Sequence, residues 1–154
     1  MGRTVRVEES VQIARPTADV WAAIADYGLD REWRNGLREM TPDPPGPPAL
    51  GTRVHELVRS SGRDYVADTE VTELDPGVSY RFEGAGTIGP LKGGRAVRAD
   101  DAGGGAVFTY TIELEPTGGM RLLGPLLGPI VRSGLKNDLR QLKALLEGDR
   151  GGVS

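Results

Sequence analysis

Apolar residues recur with two different periods along this chain of 154 residues, and the change of period marks its elements. Val5, Val7, Val11 and Ile13 alternate with polar neighbours, the pattern of a strand with one buried face. Glu9 falls in phase with that buried set, an anomaly in an otherwise regular strand. From Pro16 to Tyr27 the period lengthens. Val20, Trp21 and Ile24 make one apolar helical stripe, with Thr17 placed to cap it, Asp19 in its first turn and Gly28 to end it. A second short helix is predicted over Asp30 to Trp33, with Trp33 turned inward. Thr41 to Pro48 holds five prolines and reads as a stiff extended loop, since it can be neither helix nor central strand.

Alternation returns between Gly51 and Pro116. Strands are predicted over Thr52 to Ser60, Asp64 to Leu74, Val78 to Phe82, Arg95 to Asp100 and Val107 to Glu115. The breaks are Ser61-Gly62, Asp75-Pro76-Gly77, the glycine-rich Gly84 to Gly94, and Asp101 to Gly105. Short turns between successive strands make antiparallel hairpins. Gly84 to Gly94 reads as a turn or mobile loop; a phosphate-binding loop would need a helix after it, and a strand follows instead. At the end of the chain Leu127, Val131, Leu135, Leu139, Leu142 and Leu146 recur at helical spacing. They predict a helix from Pro129 to Glu147, about 28 Å long. Residues 1–147 are read as a single domain and 148–154 as a disordered tail.

Composition narrows the chemistry. There is no cysteine, which removes disulfides, thiolate metal sites and thiol nucleophiles. The single histidine, His55, leaves little for a histidine metal site or a triad, so no metal and no cofactor are expected. A net charge of −3 gives no bulk attraction to nucleic acid. No stretch reaches the roughly 18 apolar residues of a membrane span and no signal peptide is visible, so a cytoplasmic protein is expected. Monomer or homodimer is the expected assembly.

The element order, one strand, two short helices, a run of strands and one long helix, resembles the helix-grip fold of the START/polyketide cyclase-like (SRPBCC) superfamily. The resemblance runs from about Val5 to Glu147. It is carried by the stretches SVQIARPTADVWAAIADYGLDREW, GTRVHELVRSSGRDYVADTEVTELDPG and LGPIVRSGLKNDLRQLKALLE. It implies an α+β fold in which a curved seven-stranded antiparallel sheet wraps a long C-terminal helix, with two short helices after strand 1. It also implies a cavity between the sheet and the C-terminal helix that takes a hydrophobic small molecule. The oxygenase branch of the superfamily needs histidine iron ligands, and this chain departs from that pattern.

Strand phase selects the side chains expected on the concave face. The polar ones are Glu9, Glu56, Tyr65, Thr69, Tyr80, Arg95 and Tyr110, beside apolar Phe82 and, from the helix, Leu135. A carboxylate on an apolar wall is desolvated and its pKa rises, which suits Glu9 or Glu56 to proton transfer. The competing reading is that a bulge turns Glu9 outward, or that the carboxylates pair with Arg95. Tyr65, Thr69, Tyr80, Phe82, Arg95, Tyr110 and Leu135 are the expected ligand-binding residues, around a cavity of roughly 300–1,000 Å³. His55 falls out of phase and is held in reserve as a base. Two functions follow: a carrier of a lipid- or polyketide-like molecule, or a cofactor-independent polyketide cyclase or dehydratase using a cavity carboxylate and tyrosines.

Overall fold

The computed structural model describes residues 4–153, with side chains as far as Gly148. Its elements are β1 (Val5–Ile13), α1 (Thr17–Ile24), a 3₁₀ turn (Tyr27–Leu29), α2 (Asp30–Trp33) and β2 (Leu37–Asp43). They continue with β3 (Arg53–Ser60), β4 (Arg63–Asp75), β5 (Ser79–Gly86), β6 (Pro90–Ala99) and β7 (Ala106–Leu114). A second 3₁₀ segment (Gly118–Leu123) leads into α3 (Gly124–Val153). The seven strands form one antiparallel sheet in the order β1-β7-β6-β5-β4-β3-β2. This is the helix-grip architecture: the sheet curls and α3 lies across its concave side.

The helix is held by the leucine stripe. Leu127, Leu135, Leu139, Leu142 and Leu146 are buried, four of them in one cluster with Val7, Ile13, Phe108 and Tyr110 of the two strands beneath. Polar contacts tie β1 and the residue after it to α3. Glu9 pairs with Arg132, Ala14 N–H donates to Glu147 Oε2 at 2.8 Å, and Lys143 Nζ donates to the Gln12 carbonyl at 2.6 Å. Leu122, Leu126 and Ile130 on the outer side of the 3₁₀–helix junction are exposed. Among the described residues no helix is long and apolar enough to cross a membrane.

Several elements differ from expectation for local reasons. Thr17 is the first residue of α1 rather than its cap; Pro16 takes that place, with its carbonyl accepting from Asp19 and Val20. The helix stops at Ile24, ahead of Gly28, because the chain tightens into the 3₁₀ turn. The proline segment begins as a strand. Pro42 lies in β2 at the sheet edge, where a missing N–H breaks no ladder. Gly84 to Gly94 is mostly strand with a turn over 87–89. A Cβ at Gly84 would stand 1.9 Å from the Asp68 carbonyl oxygen, so this glycine lets β5 and β4 approach where the sheet bends. Val78 lies ahead of β5 and is exposed. The final helix starts five residues earlier than predicted and runs on past Glu147. The disorder expected of the tail falls, beyond Gly148, outside the residues whose side chains are described.

Candidate functional site

Register arranges the concave face in rows that cross the strands. One row reads Glu9, Tyr110, Arg95 and Tyr80 over β1, β7, β6 and β5. The next reads Ile112, Gly93, Phe82 and Val71 over β7 to β4. A third reads Leu91, Gly84, Thr69 and Val54 over β6 to β3. A cavity of about 60 Å³ lies against these rows. Val54, Phe82, Leu91, Ile112 and Met40 give it apolar walls, Thr69, Tyr27, Tyr80 and Tyr110 add hydroxyls, and Arg34, Glu56 and Arg95 bring charge. Water needs at least roughly 10–15 Å³ of such space, so the cavity has room for only a few waters and falls well short of the expected 300–1,000 Å³.

Beside the cavity, four charged side chains alternate in sign. Arg34 lies between two carboxylates. Its Nη1 and Nη2 donate to Glu56 Oε2 and Oε1 at 3.0 and 3.1 Å, and Nη1 is 3.3 Å from Asp30 Oδ2. Arg95 grips Asp30 from the other side, with Nη1 to Oδ1 at 3.0 Å and Nη2 to Oδ2 at 2.5 Å. Arg95 also donates to the Ile24 carbonyl at 2.9 Å and to the Tyr110 hydroxyl at 3.3 Å. Its guanidinium stacks between Trp33 and Tyr110, 5.0 and 4.8 Å from the ring centroids. Asp30 and Arg95 are almost wholly buried, a placement that only forked, fully charged pairing can sustain. Arg95 Nε and Trp33 Nε1 are buried without a protein partner.

These contacts decide protonation. Burial favours neutral Glu56, but the Arg34 guanidinium outweighs it and holds the carboxyl below its ordinary range. Burial also works against the charge of Arg95; Asp30, with the tyrosine hydroxyls behind it, keeps that guanidinium protonated. Burial pushes the Tyr80 phenol well above its usual value and Tyr27 up to about 12, so both remain hydrogen-bond donors. On α3, Asp138 Oδ1 accepts the Asn35 N–H at 3.0 Å and ties the helix to the loop after α2. Burial pushes its carboxyl up to about 6, against the Asn35 bond and the nearby Arg34.

The expected site residues separate into two groups. Glu56, Thr69, Tyr80, Phe82, Arg95 and Tyr110 meet at the cavity. Glu9 shares their row and its face, but it is spent on Arg132 of α3 and does not line the space. Tyr65 is half-buried further along β4, and Leu135 is packed in the core beneath α3. Neither lines the cavity, and no described α3 residue does: the space expected between sheet and C-terminal helix is taken up by the packed leucine stripe, and the cavity lies beside Tyr27 and Arg34 instead. His55 points to the convex side, where Nδ1 meets Asp68 Oδ1 at 2.7 Å in the open. The ion pairing weighed for Glu56 and Arg95 exists with other partners: Arg34 and Asp30, both absent from the expected set. Strand phase cannot select them because they come from a helix and its exit. Their signal is the i,i+4 spacing of Asp30 and Arg34 around the buried Trp33, which puts both on one face. Tyr27 escapes strand phase for the same reason, and Met40 because alternation does not reveal its strand, β2.

No curated protein sequence matches the chain. Among solved structures, it is similar to the Zhui aromatase/cyclase from Streptomyces sp. R1128, at 17% identity and a TM-score of 0.77, over 94% of each chain. It is also similar to the protein TTHA0849 from Thermus thermophilus, at 18% identity and a TM-score of 0.76, covering 96% of this chain and 99% of that one. A START superfamily protein from Mycobacterium smegmatis superposes with a TM-score of 0.74 at 12% identity, covering 93% and 97%. At these identities the likeness shows the shared fold. The family model for polyketide cyclase / dehydrase and lipid transport matches residues 4–147. A curled seven-stranded sheet around a C-terminal helix, with a cavity on its concave face, is thus accompanied by a match over nearly the whole chain: the protein belongs to the polyketide cyclase / dehydrase and lipid transport family.

Proposed function

We propose that the protein binds a hydrophobic, lipid- or polyketide-like small molecule on the concave face of its sheet, with Thr69, Tyr80, Phe82 and Tyr110 in contact with it. The observation that carries this reading is the pairing of charge beside an apolar wall. Glu56, Arg34, Asp30 and Arg95 neutralise one another, so the cavity offers apolar surface and phenolic hydroxyls rather than a free charge. Such a site suits a ligand with apolar rings or chains and a few carbonyl or hydroxyl oxygens. Titration calorimetry with aromatic polyketides and long-chain fatty alcohols tests it. Binding tighter than about 1 mM that is lost in Phe82→Asp supports the reading, and absence of binding by either class overturns it.

A second reading is a cofactor-independent cyclase or dehydratase, favoured by the family and by the name of the Streptomyces relative. In it Glu56 would take the proton, a tyrosine hydroxyl would polarise a substrate carbonyl and Arg95 would place the substrate. The geometry sets a demand on this chemistry. A carboxylate gripped by both Nη atoms of Arg34 is a weak base, so substrate would have to draw Arg34 away before Glu56 could act. Turnover of a poly-β-ketone mimic that falls about 10²–10⁴-fold in Glu56→Gln, with ligand affinity retained, would establish it.

A further inference from the structure

A cavity of about 60 Å³ is smaller than any ligand of the class proposed above, so such a ligand must reach into further space. Surface clefts adjoin the cavity lining in different ways. Those of about 500 and 530 Å³ carry convex-face charges such as Glu83, Lys92, Arg53 and Glu70. They share only strand residues with the cavity, Leu91 for one and Val54 and Thr69 for the other. The sheet itself stands between. A cleft of about 370 Å³ between α1 with its 3₁₀ turn and the proline segment after β2 is different. It is lined by Trp21, Ala22, Tyr27, Pro42 and Pro47, and Tyr27 lines the interior cavity as well.

We propose that this aromatic–proline cleft is the outer half of the ligand site, and that the Tyr27 side chain is the partition between it and the interior cavity. The inference rests on the hydrophobic-ligand reading and adds where the ligand lies and what it is. Two contacts join the halves. Trp21 in the cleft meets Tyr80 of the cavity edge-on at 6.3 Å between centroids, and Tyr27 meets Tyr80 at 6.4 Å. A turn of the Tyr27 ring away from Tyr80 merges the two spaces without moving the sheet or α3. The merged site is bounded by the aromatic rings of Trp21 and Phe82 and the apolar rings of Pro42 and Pro47. Asp26 is the charged side chain lining the cleft, so nothing there compensates an anion. The ligand class is therefore an elongated molecule without an anionic group, with at least one aromatic ring at its outer end.

The chain has no cysteine, which permits a plug to be added after folding. Ala22 is exposed on α1 and lines the cleft, so Ala22→Cys can be labelled in the native protein with N-phenylmaleimide. The probe is N-phenyl-1-naphthylamine, a neutral fluorophore in which a phenyl ring is joined through an amine to a naphthalene. Unlabelled Ala22→Cys is the reference, and labelling should weaken its binding about tenfold, the loss of one aromatic contact surface. Tyr27→Ala should strengthen binding by removing the partition. Probe binding that is unchanged by the plug but abolished by Phe82→Asp overturns the outer site and leaves the hydrophobic-ligand reading standing. No binding by the parent chain, Ala22→Cys or Tyr27→Ala overturns both.

Discussion

Arg34 and Glu56 meet fork to fork, with Nη1 3.0 Å from Oε2 and Nη2 3.1 Å from Oε1, although they come from the end of a helix and from a strand. This contact closes the alternating set Glu56, Arg34, Asp30, Arg95 at its outer end. Glu56→Gln should lower stability by about 2 kcal/mol at pH 7, because two cations are left sharing the one carboxylate of Asp30. The pH dependence has a fixed sign. A carboxyl depressed in the folded state contributes stability above its unfolded value of 4.5, and that contribution disappears as pH falls through the folded value. The gap between parent and variant in urea unfolding should stay constant above pH 4.5 and close below it.

The inner pair is more deeply buried. Asp30→Asn strands Arg95 in the core and should cost about 3–5 kcal/mol. Replacing both partners, Asp30→Asn with Arg95→Met, should cost less than Asp30→Asn alone. A double-mutant cycle measured by chemical denaturation checks this. A double variant less stable than either single one would show that Arg95 contributes chiefly through its stacking on Trp33 and Tyr110.

Asp138 makes the opposite kind of prediction. Its folded pKa of about 6 lies above its ordinary 3.8, so its ionisation costs stability as pH rises through 6. Asp138→Asn keeps an oxygen for the Asn35 N–H and removes the charge. Because the side chain is part-exposed, the gain should be modest, about 1 kcal/mol at pH 8, or about 3 °C in thermal midpoint. The gain should shrink as pH falls from 6 and vanish well below pH 3.8, where the parent carboxyl is protonated in both states.

Leu139 lies 2% exposed at the centre of the α3 stripe. Leu139→Ala should cost about 2–5 kcal/mol, the range for a truncated core leucine. Leu126→Ala, on the exposed side of the same helix, should cost less than about 0.5 kcal/mol. Equal losses at the two sites would contradict the orientation of the helix on the sheet.

Alternation and leucine spacing by themselves determined most of the architecture, because period reports which face of an element meets the core and needs no partner to be known. They placed Phe108 and Tyr110 on the concave face, and Leu139 and Leu142 against it. They also put Glu9 and Glu56 on the right side of their strands. β2 escaped because its alternation is interrupted by a bulge between Leu37 and Glu39 and by Pro42, both tolerable only at an edge. What only the tertiary structure decided is which charge meets which. Phase gives direction from the sheet; it carries no information on what a helix brings to the same point. Arg132 reaches Glu9 from α3, while Asp30 and Arg34 reach Arg95 and Glu56 from α2 and its exit. Those partners come from 123, 65 and 22 residues away in sequence. They turn candidate acids and bases into fixed ion pairs, and they leave the cavity small, because the side chains that neutralise its charges also occupy its space.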